Sequence, residues 1–304
     1  MIKLKINNET SRLKTVVVGI SESFGGVPKL EDCYDPKSKE CVLNGTFPKE
    51  LDLKIQIEHF VNTLKKYDVN VLRPKNFNDI NQIFVRDIFF VIEDKLFIPN
   101  IISERSKEQC AIEGLISKIE TTNIINMPDE CRVEGGDVIL YNDYLFIGYS
   151  DAMDFNKFTV ARTNKKSVDF LKDIFPKKKI RAFELNKSDT NPKKNALHLD
   201  CCFQPIGSNM AIIHKNSFKN ASDVLFLENL FGMNNLIEVD DNEMYDMNCN
   251  VFSVSENIII SSTTFSRLNK ELQKKGFVVE EVMYNEVAKM EGLFRCTTIP
   301  LDRE

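Results

Sequence analysis

The sequence predicts an α/β fold made of five ββαβ units arranged around an axis, and two observations lead to this prediction. First, a pair of short apolar runs joined by a polar turn occurs four times, with successive turns roughly 49 to 64 residues apart, a period typical of repeated supersecondary units. Second, a helical stretch follows most of these pairs. Five imperfect repeats that fill a chain favour closure around an axis, because an open array needs capping units. The alternative is an ordinary α/β fold whose hairpins happen to be evenly spaced.

The first unit is the least regular of the five. An apolar run at Thr15–Ile20 predicts a strand, Leu51–Lys66 a helix, and Val69–Leu72 a second strand. Residues 25–48, between the first strand and the helix, are rich in Gly, Pro and Asp, which favour turns. We therefore expect an insertion there, and we expect it to shape a ligand pocket.

The other four units each begin with a predicted β-hairpin. Asn, Asp and Gly between β-rich runs favour tight reversals of the chain. The predicted hairpins are Phe89–Ile92 with Leu96–Ile98, Val138–Tyr141 with Tyr144–Gly148, Cys201–Ile206 with Met210–Ile213, and Val251–Val254 with Ile258–Ser261.

Helices are predicted after these hairpins. Ser106–Ile119 places its apolar side chains near one face of a 3.6-residue period, as an amphipathic helix requires. The other predicted helices are Ser167–Phe175, Asp223–Phe231 and Phe265–Lys275. Gly276 is a typical helix stop, and the strand Phe277–Val282 follows it.

Composition restricts the class of partner. The net charge is −5 in 304 residues, which gives no broad electrostatic reason to bind nucleic acid or an anionic membrane. No apolar run approaches the ~18 residues of a membrane-spanning helix, and the N-terminus lacks the layout of a secretory signal. Eight cysteines in a chain of this length do not indicate a disulfide scaffold. We expect a cytoplasmic protein with reduced thiols and without nucleic-acid or membrane partners; the sequence allows a homo-oligomer but does not indicate one.

The chemically reactive residues occupy the same place in each unit, just before the first hairpin strand. These segments are Arg86-Asp87, Glu134–Asp137, His198–Asp200 and Asn248–Asn250. If the units surround an axis, equivalent positions converge at one end of it, so Asp87, Glu134, His198 and Asp200 are predicted to meet in one pocket. Cys296, near the C-terminus, is expected to complete the circle as the ending of the last unit.

Each of these residues also has an ordinary structural interpretation. Asp87 beside Arg86 is compatible with a surface ion pair, Glu134 with a polar turn, and a cysteine with a small core residue. A metal site made of His198, Cys201 and Cys202 lacks a second His or a Cys-x-x-Cys pair to complete it. We therefore predict no metal and no cofactor, and the functional prediction depends on the joint arrangement.

Taken in order, the motifs resemble those of the guanidino-group-modifying enzymes: arginine deiminase, dimethylarginine dimethylaminohydrolase and the arginine-dependent amidinotransferases. The matching segments are Asn81–Asp87 (the deiminase Asn-x-x-Phe-x-Arg-Asp), Glu134–Asp137 (Glu-Gly-Gly-Asp), Ala161–Asn164 (an Arg-Thr turn), Leu197–Asp200 (His-Leu-Asp) and Gly292–Pro300 (the nucleophile segment). The resemblance spans nearly the whole chain. It implies the pentein fold, a five-bladed pseudosymmetric α/β propeller, with residues 1–304 as a single catalytic domain.

The chain departs from individual members of this group. We expect it to be nearer the compact members, because 304 residues leave little room for the extra helical domain of the larger arginine deiminases. Mitochondrial-type amidinotransferases carry Asp where this chain has Glu134, which favours a hydrolase. Dimethylarginine hydrolases do not usually carry the acidic residue found here at Asp200, which favours a less substituted guanidinium.

The resemblance implies a role for each site residue. Cys296 is the nucleophile and His198 the acid and base; Glu134 hydrogen-bonds the guanidinium near His198. Asp87 and Asp200 bind the guanidinium itself, because carboxylates form paired, charge-assisted hydrogen bonds with it. For an amino-acid substrate, Arg162 would hold the α-carboxylate and Asn81 the α-amino group.

These roles predict a hydrolase that attacks the guanidinium carbon of arginine or an arginine derivative. That carbon is a poor electrophile and requires a strong nucleophile such as a thiolate. Water attack on the resulting amidino-thioether gives a ureido product such as citrulline, and a second hydrolysis would give ornithine. The alternatives are an arginine-dependent amidinotransferase, in which an amine attacks instead, and a non-catalytic binding protein of the same fold.

Overall fold

The structure is a computed structural model that describes residues 1–304. It is a mixed α/β fold that contains five sheets of three strands each. In every sheet an antiparallel pair is extended by a third strand, which runs parallel to the second. The predicted five-unit α/β propeller is confirmed.

The strands are β1 (Leu13–Val18), β2 (Asn70–Leu72), β3 (Phe90–Ile92), β4 (Lys95–Ile98), β5 (Ile124–Asn126), β6 (Val138–Tyr141), β7 (Tyr144–Tyr149), β8 (Lys179–Glu184), β9 (Phe203–Ile206), β10 (Met210–Ile213), β11 (Leu236–Glu238), β12 (Phe252–Ser255), β13 (Ile258–Ser262), β14 (Val278–Val282) and β15 (Thr298–Arg303). The helices are α1 (Pro36–Leu43), α2 (Glu50–Lys65), α3 (Val85–Ile88), α4 (Glu113–Ile116), α5 (Ala152–Lys157), α6 (Lys165–Ile174), α7 (Ala221–Phe231), α8 (Asp241–Tyr245), α9 (Ser266–Lys274) and α10 (Asn285–Ala288). The sheet orders are β15-β1-β2, β3-β4-β5, β6-β7-β8, β9-β10-β11 and β12-β13-β14.

The four predicted hairpins are present, and three of their turns contain a residue in the left-handed backbone region. Glu93, Asn142 and Gly207 lie in three of these turns with φ values of 56°, 50° and 58°. This left-handed region is readily adopted by Gly and tolerated by Asn. Most of the apolar side chains of the hairpin strands are buried.

The C-terminal strand lies in a different unit from the one predicted. β15 pairs antiparallel with β1, and β1 pairs parallel with β2. The end of the chain therefore supplies the opening strand of the first unit and joins the two ends of the chain in one sheet. Cys296 thus takes, in the first unit, the position that Asp87 takes before β3, whereas the sequence predicted an ending of the last unit.

The predicted helix at Ser106–Ile119 is a second difference. Ser103–Ile112 is a 3₁₀ helix, followed by the single α-helical turn of α4. With three residues per turn, a 3₁₀ helix aligns side chains at i and i+3. Arg105 and Glu108 have this spacing, are both buried, and form an ion pair of 2.8 Å. The 3₁₀ geometry therefore turns this pair inward.

The insertion at residues 25–48 contains α1. Pro36 occupies the first turn, and the Asp35 side chain accepts a hydrogen bond from Ser38 N at 2.7 Å, which caps the helix. The largest buried apolar cluster comprises 39 residues and includes Cys201 and Cys296, so the predicted nucleophile lies at the edge of the core. None of the helices combines the length and apolarity that crossing a bilayer requires.

Candidate active site

One cavity, with a volume of about 230 Å³, brings together residues from distant parts of the sequence. Cys296, His198 and Asp87 line it from the segments that precede β15, β9 and β3, and the insertion contributes Tyr34 and Asp35. The volume is small for a ligand pocket. The cavity therefore suits a small molecule. It lies where equivalent segments of different units meet.

His198 is fully buried, and its two ring nitrogens have different surroundings. Nε2 lies 2.9 Å from Glu134 Oε2, whereas Nδ1 has no hydrogen-bond partner and lies 3.5 Å from Asp87 Oδ1. Burial lowers the pKa of His198, but the charge of Asp87 and the hydrogen bond to Glu134 outweigh it, so the pKa is raised above 6.5. The imidazole is therefore biased towards its protonated form, with Nδ1 free to transfer a proton.

Glu134 lies behind His198 and is fully buried. Both of its oxygens accept hydrogen bonds of 3.2 Å from Arg162 Nη1, and Arg105 Nη1 lies 3.5 Å from Oε2. Burial raises the pKa of Glu134, but Arg162, the hydrogen bond from His198 and Arg105 lower it well below its usual range. Glu134 is thus a permanent anion that holds Nε2 of His198.

Asp87 is held by a cation and a backbone amide. Its Oδ2 accepts a hydrogen bond of 2.7 Å from Arg105 Nη1, and its Oδ1 accepts one of 3.2 Å from Gly136 N. A Cβ at Gly136 would lie 2.8 Å from the His198 ring and 2.9 Å from Asp87 Oδ1. The second glycine of Glu-Gly-Gly-Asp therefore allows the backbone to approach both side chains.

Asp137, the last residue of that motif, fixes the turn that carries His198. Its Oδ1 accepts from Leu199 N at 2.8 Å, and its Oδ2 accepts from Thr163 Oγ1 at 2.6 Å. The carboxylate thereby joins the third unit to the His198 turn of the fourth.

Cys296 lines the cavity with 3% of its surface exposed. Its Sγ lies 3.2 Å from Asn250 Nδ2 and 3.8 Å from Asp200 Oδ2. A hydrogen bond with Cys201 lowers the pKa of Cys296, but burial and the charges of Asp200 and Asp87 raise it by more. The thiol is therefore biased towards its protonated form at neutral pH.

Asp200 lies behind Cys296 and does not line the cavity. Its Oδ2 accepts a hydrogen bond of 2.8 Å from Arg295 Nη1, and Arg295 also binds Glu9 through Nε at 3.2 Å and Nη2 at 3.0 Å. All three side chains are buried. In this structure Asp200 thus faces the sulfur and an internal arginine, and its predicted contact with a guanidinium substrate stays a prediction.

Arg162 and Asn81 both line the cavity. Arg162 Nη1 binds Glu134, and its Nη2 donates to the Tyr34 carbonyl at 2.8 Å. Asn81 Oδ1 accepts from Ile83 N at 3.1 Å. Five of the seven predicted site residues therefore line the cavity, while Glu134 and Asp200 lie directly behind His198 and Cys296.

The sequence-based prediction did not identify Arg105, Glu108 or Arg295. Arg105 joins Asp87, Glu108 and Glu134, but in the sequence it lies in a polar stretch just before the predicted helix Ser106–Ile119. Burial raises the pKa of Glu108 to about 7, although Arg105 lowers it. Arg295 directly precedes Cys296 in the sequence. Nothing in the neighbouring residues indicates that its side chain is buried. Asn250 was detectable, because it occupies the repeated position before a hairpin.

Asp87, Glu134 and His198 offer ligand atoms within 4.8 Å of one another. Arg105 and Arg162 already pair with these two carboxylates. A divalent cation would have to compete with two buried guanidinium groups at short range, so the charges around this trio disfavour a metal.

Comparisons with known proteins give the family of the chain. Residues 51–303 match the family model described as N,N-dimethylarginine dimethylhydrolase, eukaryotic. The uncharacterized protein YkgA of Bacillus subtilis (strain 168) is 30% identical over 253 residues, covering 82% of this chain and 79% of YkgA.

Solved structures share the fold at lower identity. The N-terminal domain of ArgZ, a cyanobacterial arginine dihydrolase, superposes with a TM-score of 0.77 at 17% identity, covering 95% of this chain and 98% of that domain. SxtG, an amidinotransferase from Microseira wollei, superposes with a TM-score of 0.74 at 17% identity, covering 99% and 97%. The chain belongs to the dimethylarginine dimethylhydrolase family, within the guanidino-group-modifying enzymes of pentein fold.

Proposed function

We propose that the chain is a cysteine-dependent hydrolase that acts on the guanidinium group of arginine or an arginine derivative. The observation that carries this proposal is that the Cys296 thiol, the free Nδ1 of His198 and the Asp87 carboxylate line one small cavity. A nucleophile, a proton donor and an anion for a cationic substrate are the groups that such hydrolysis requires. The family membership supports the same chemistry.

Asp87 is the proposed guanidinium-binding group. It already accepts a hydrogen bond from the guanidinium of Arg105 at 2.7 Å. Arg105 also binds Glu108 through Nε and Nη2 and the Phe84 carbonyl through Nη2. Arg105 therefore keeps most of its partners when a substrate takes up the remaining lone pairs of Asp87.

In the proposed reaction the Cys296 thiol loses its proton to solvent when the guanidinium binds, and the thiolate then forms a C–S bond to the guanidinium carbon to give a tetrahedral adduct. The carbon–nitrogen bond then breaks, and the leaving nitrogen takes a proton from His198 and departs as ammonia or an amine. Water attacks the amidino-thioether after losing a proton to His198. Breakage of the C–S bond returns the thiol and releases a ureido product.

The charges explain why a cationic substrate is preferred. The pKa of Cys296 is raised, and a guanidinium beside the sulfur would stabilise the thiolate. Neutral analogues would lack this effect. Nucleophile activation is therefore coupled to substrate binding.

The remaining roles belong to the same proposal. Glu134 orients His198 through Nε2 and keeps it cationic, and Asp200 faces the sulfur from behind. For a substrate with an amino-acid end, Arg162 and Asn81 are the proposed contacts, because both line the cavity. We also propose that residues 1–304 work as one catalytic domain.

The test is incubation of the purified protein with arginine, N-methylated arginines and shorter guanidines, with and without an added amine, followed by mass spectrometry of the products. Citrulline with one ammonia identifies a deiminase, ornithine with two ammonia a dihydrolase, and released methylamine or dimethylamine a methylarginine hydrolase. Product formed only in the presence of an amine acceptor would replace hydrolysis by amidino transfer. Cys296→Ala is the matched control, and turnover by that variant contradicts the proposal.

A further inference from the structure

We propose that Asn250 is an additional catalytic residue that binds the sulfur of Cys296 and stabilises its thiolate. This inference rests on the proposed role of Cys296 as the nucleophile. Asn250 is fully buried in the turn before β12, and its Nδ2 lies 3.2 Å from Cys296 Sγ.

The orientation of the Asn250 amide follows from its other contacts. Its Oδ1 accepts hydrogen bonds from Arg295 N at 3.0 Å and Cys296 N at 3.1 Å. Two N–H donors require an acceptor at this end of the amide, so the NH₂ end must face the sulfur and the Asp200 carbonyl, 3.2 Å away. The contact with the sulfur is therefore a donor contact.

A comparison of the five units gives a chemical reason for an amide at position 250. Each unit carries one comparable residue no more than three positions before its opening strand. In chain order these residues are Asp87, Asp137, Asp200, Asn250 and Cys296. Three of these five equivalent positions carry a carboxylate, and the fourth carries a neutral amide beside the thiol. A carboxylate at Asn250 would be unable to donate and would place another negative charge against the thiolate.

The surrounding charges make a neutral donor important. The charged and titratable groups that face Cys296 or lie behind it are Asp200, Cys201, Asp87, His198, Tyr284, Arg86 and Arg295. Arg295 is engaged by Glu9 and Asp200 and does not reach the sulfur. Among side chains in hydrogen-bond contact with Sγ, only Asn250 offers an N–H donor.

A purely structural role makes a different prediction. If Asn250 only holds the backbone of residues 295 and 296, Asn250→Ala should leave the pKa of Cys296 unchanged, although Asn250→Asp would still raise it through the added charge. If Asn250 stabilises the thiolate, Asn250→Asp removes the donor and adds charge, while Asn250→Ala removes the donor without adding charge. Both variants should then raise the pKa of Cys296, Asn250→Asp by more.

The experiment measures the rate at which iodoacetamide alkylates Cys296 as a function of pH, quantified by mass spectrometry of the peptide that carries it. We expect alkylation at neutral pH to slow by about tenfold or more in both variants, since each unit of pKa changes the thiolate fraction tenfold. Asn269→Ala is the matched control: Asn269 is a buried asparagine of the same unit whose side chain bonds only Ser261 and Ser262, and its loss should not shift the profile.

A wild-type alkylation profile in either Asn250 variant would overturn the assignment. Because the readout is the thiol itself, this result is separate from turnover. An unshifted profile with reduced turnover refutes the role of Asn250 and leaves the hydrolase proposal intact. A wild-type protein that modifies no guanidine refutes the hydrolase proposal, whatever the variants show.

Discussion

Gly136→Ala tests whether close packing of the Glu-Gly-Gly-Asp turn positions the site. The φ angle of Gly136 is not in the left-handed region, so alanine adopts this backbone and the whole effect comes from the added methyl group. That group would lie 2.8 Å from the His198 ring, whereas ordinary contact begins at 3.4 Å. The ring must therefore move by about 0.6 Å, the difference between these two distances.

We expect this displacement to reduce kcat by about a hundredfold, since misplacement of reacting groups by about 1 Å has an effect of that order. Overpacking should also lower the free energy of unfolding by about 1–3 kcal/mol. The assay is steady-state kinetics on whichever guanidine is turned over, together with thermal unfolding. Gly114→Ala is the control, because a Cβ there meets nothing within 4 Å. Wild-type kcat in Gly136→Ala would refute the reasoning.

Three further predictions concern charge. Glu134→Gln should lower the pKa of His198, because Glu134 helps to raise it. The alkaline limb of the plot of kcat against pH should therefore move to lower pH. An unmoved limb contradicts the assignment of His198 as the acid. Asp87→Asn should reduce kcat/KM for guanidinium substrates by roughly tenfold to a hundredfold, through loss of a charge-assisted hydrogen bond, with circular dichroism confirming the fold. Burial raises the pKa of Glu9, but Arg295 and Arg86 lower it from 4.5 to about 2. Its contribution to stability is therefore complete above about pH 4.5 and lost as pH falls through about 2; urea midpoints should show this decline in wild type and less of it in Glu9→Gln.

The local features of the fold were predictable from the sequence because they depend on nearby residues. The hairpin turns are encoded by Asn, Asp and Gly between apolar runs, and helix α9 ends beside Gly276 as its stop signal indicates. The convergence of Asp87 and His198 was predictable from their equivalent places in the repeat, whereas Cys296 was expected there as the ending of the last unit and lies instead before the opening strand of the first.

The remaining features depend on long-range contacts, which local sequence patterns do not indicate. The pairing of β15 with β1 joins the two ends of the chain, and an apolar C-terminal run fits the end of one unit as well as the start of another. The partner of Asp200 is Arg295, one residue before the nucleophile, and its burial depends on Glu9 from the opposite end. From the sequence, Arg105 resembles an ordinary surface charge. In the structure, the 3₁₀ geometry turns its side chain towards Asp87.

The central claim is that Cys296 forms a covalent bond to the guanidinium carbon. The most direct measurement is rapid acid quenching of the enzyme during turnover, followed by intact-protein and peptide mass spectrometry. The predicted result is an adduct on the peptide that contains Cys296, with the mass of the substrate less the departing ammonia or amine, and its absence in Cys296→Ala. Turnover by Cys296→Ala, or an adduct mapped to a different residue, would contradict the mechanism.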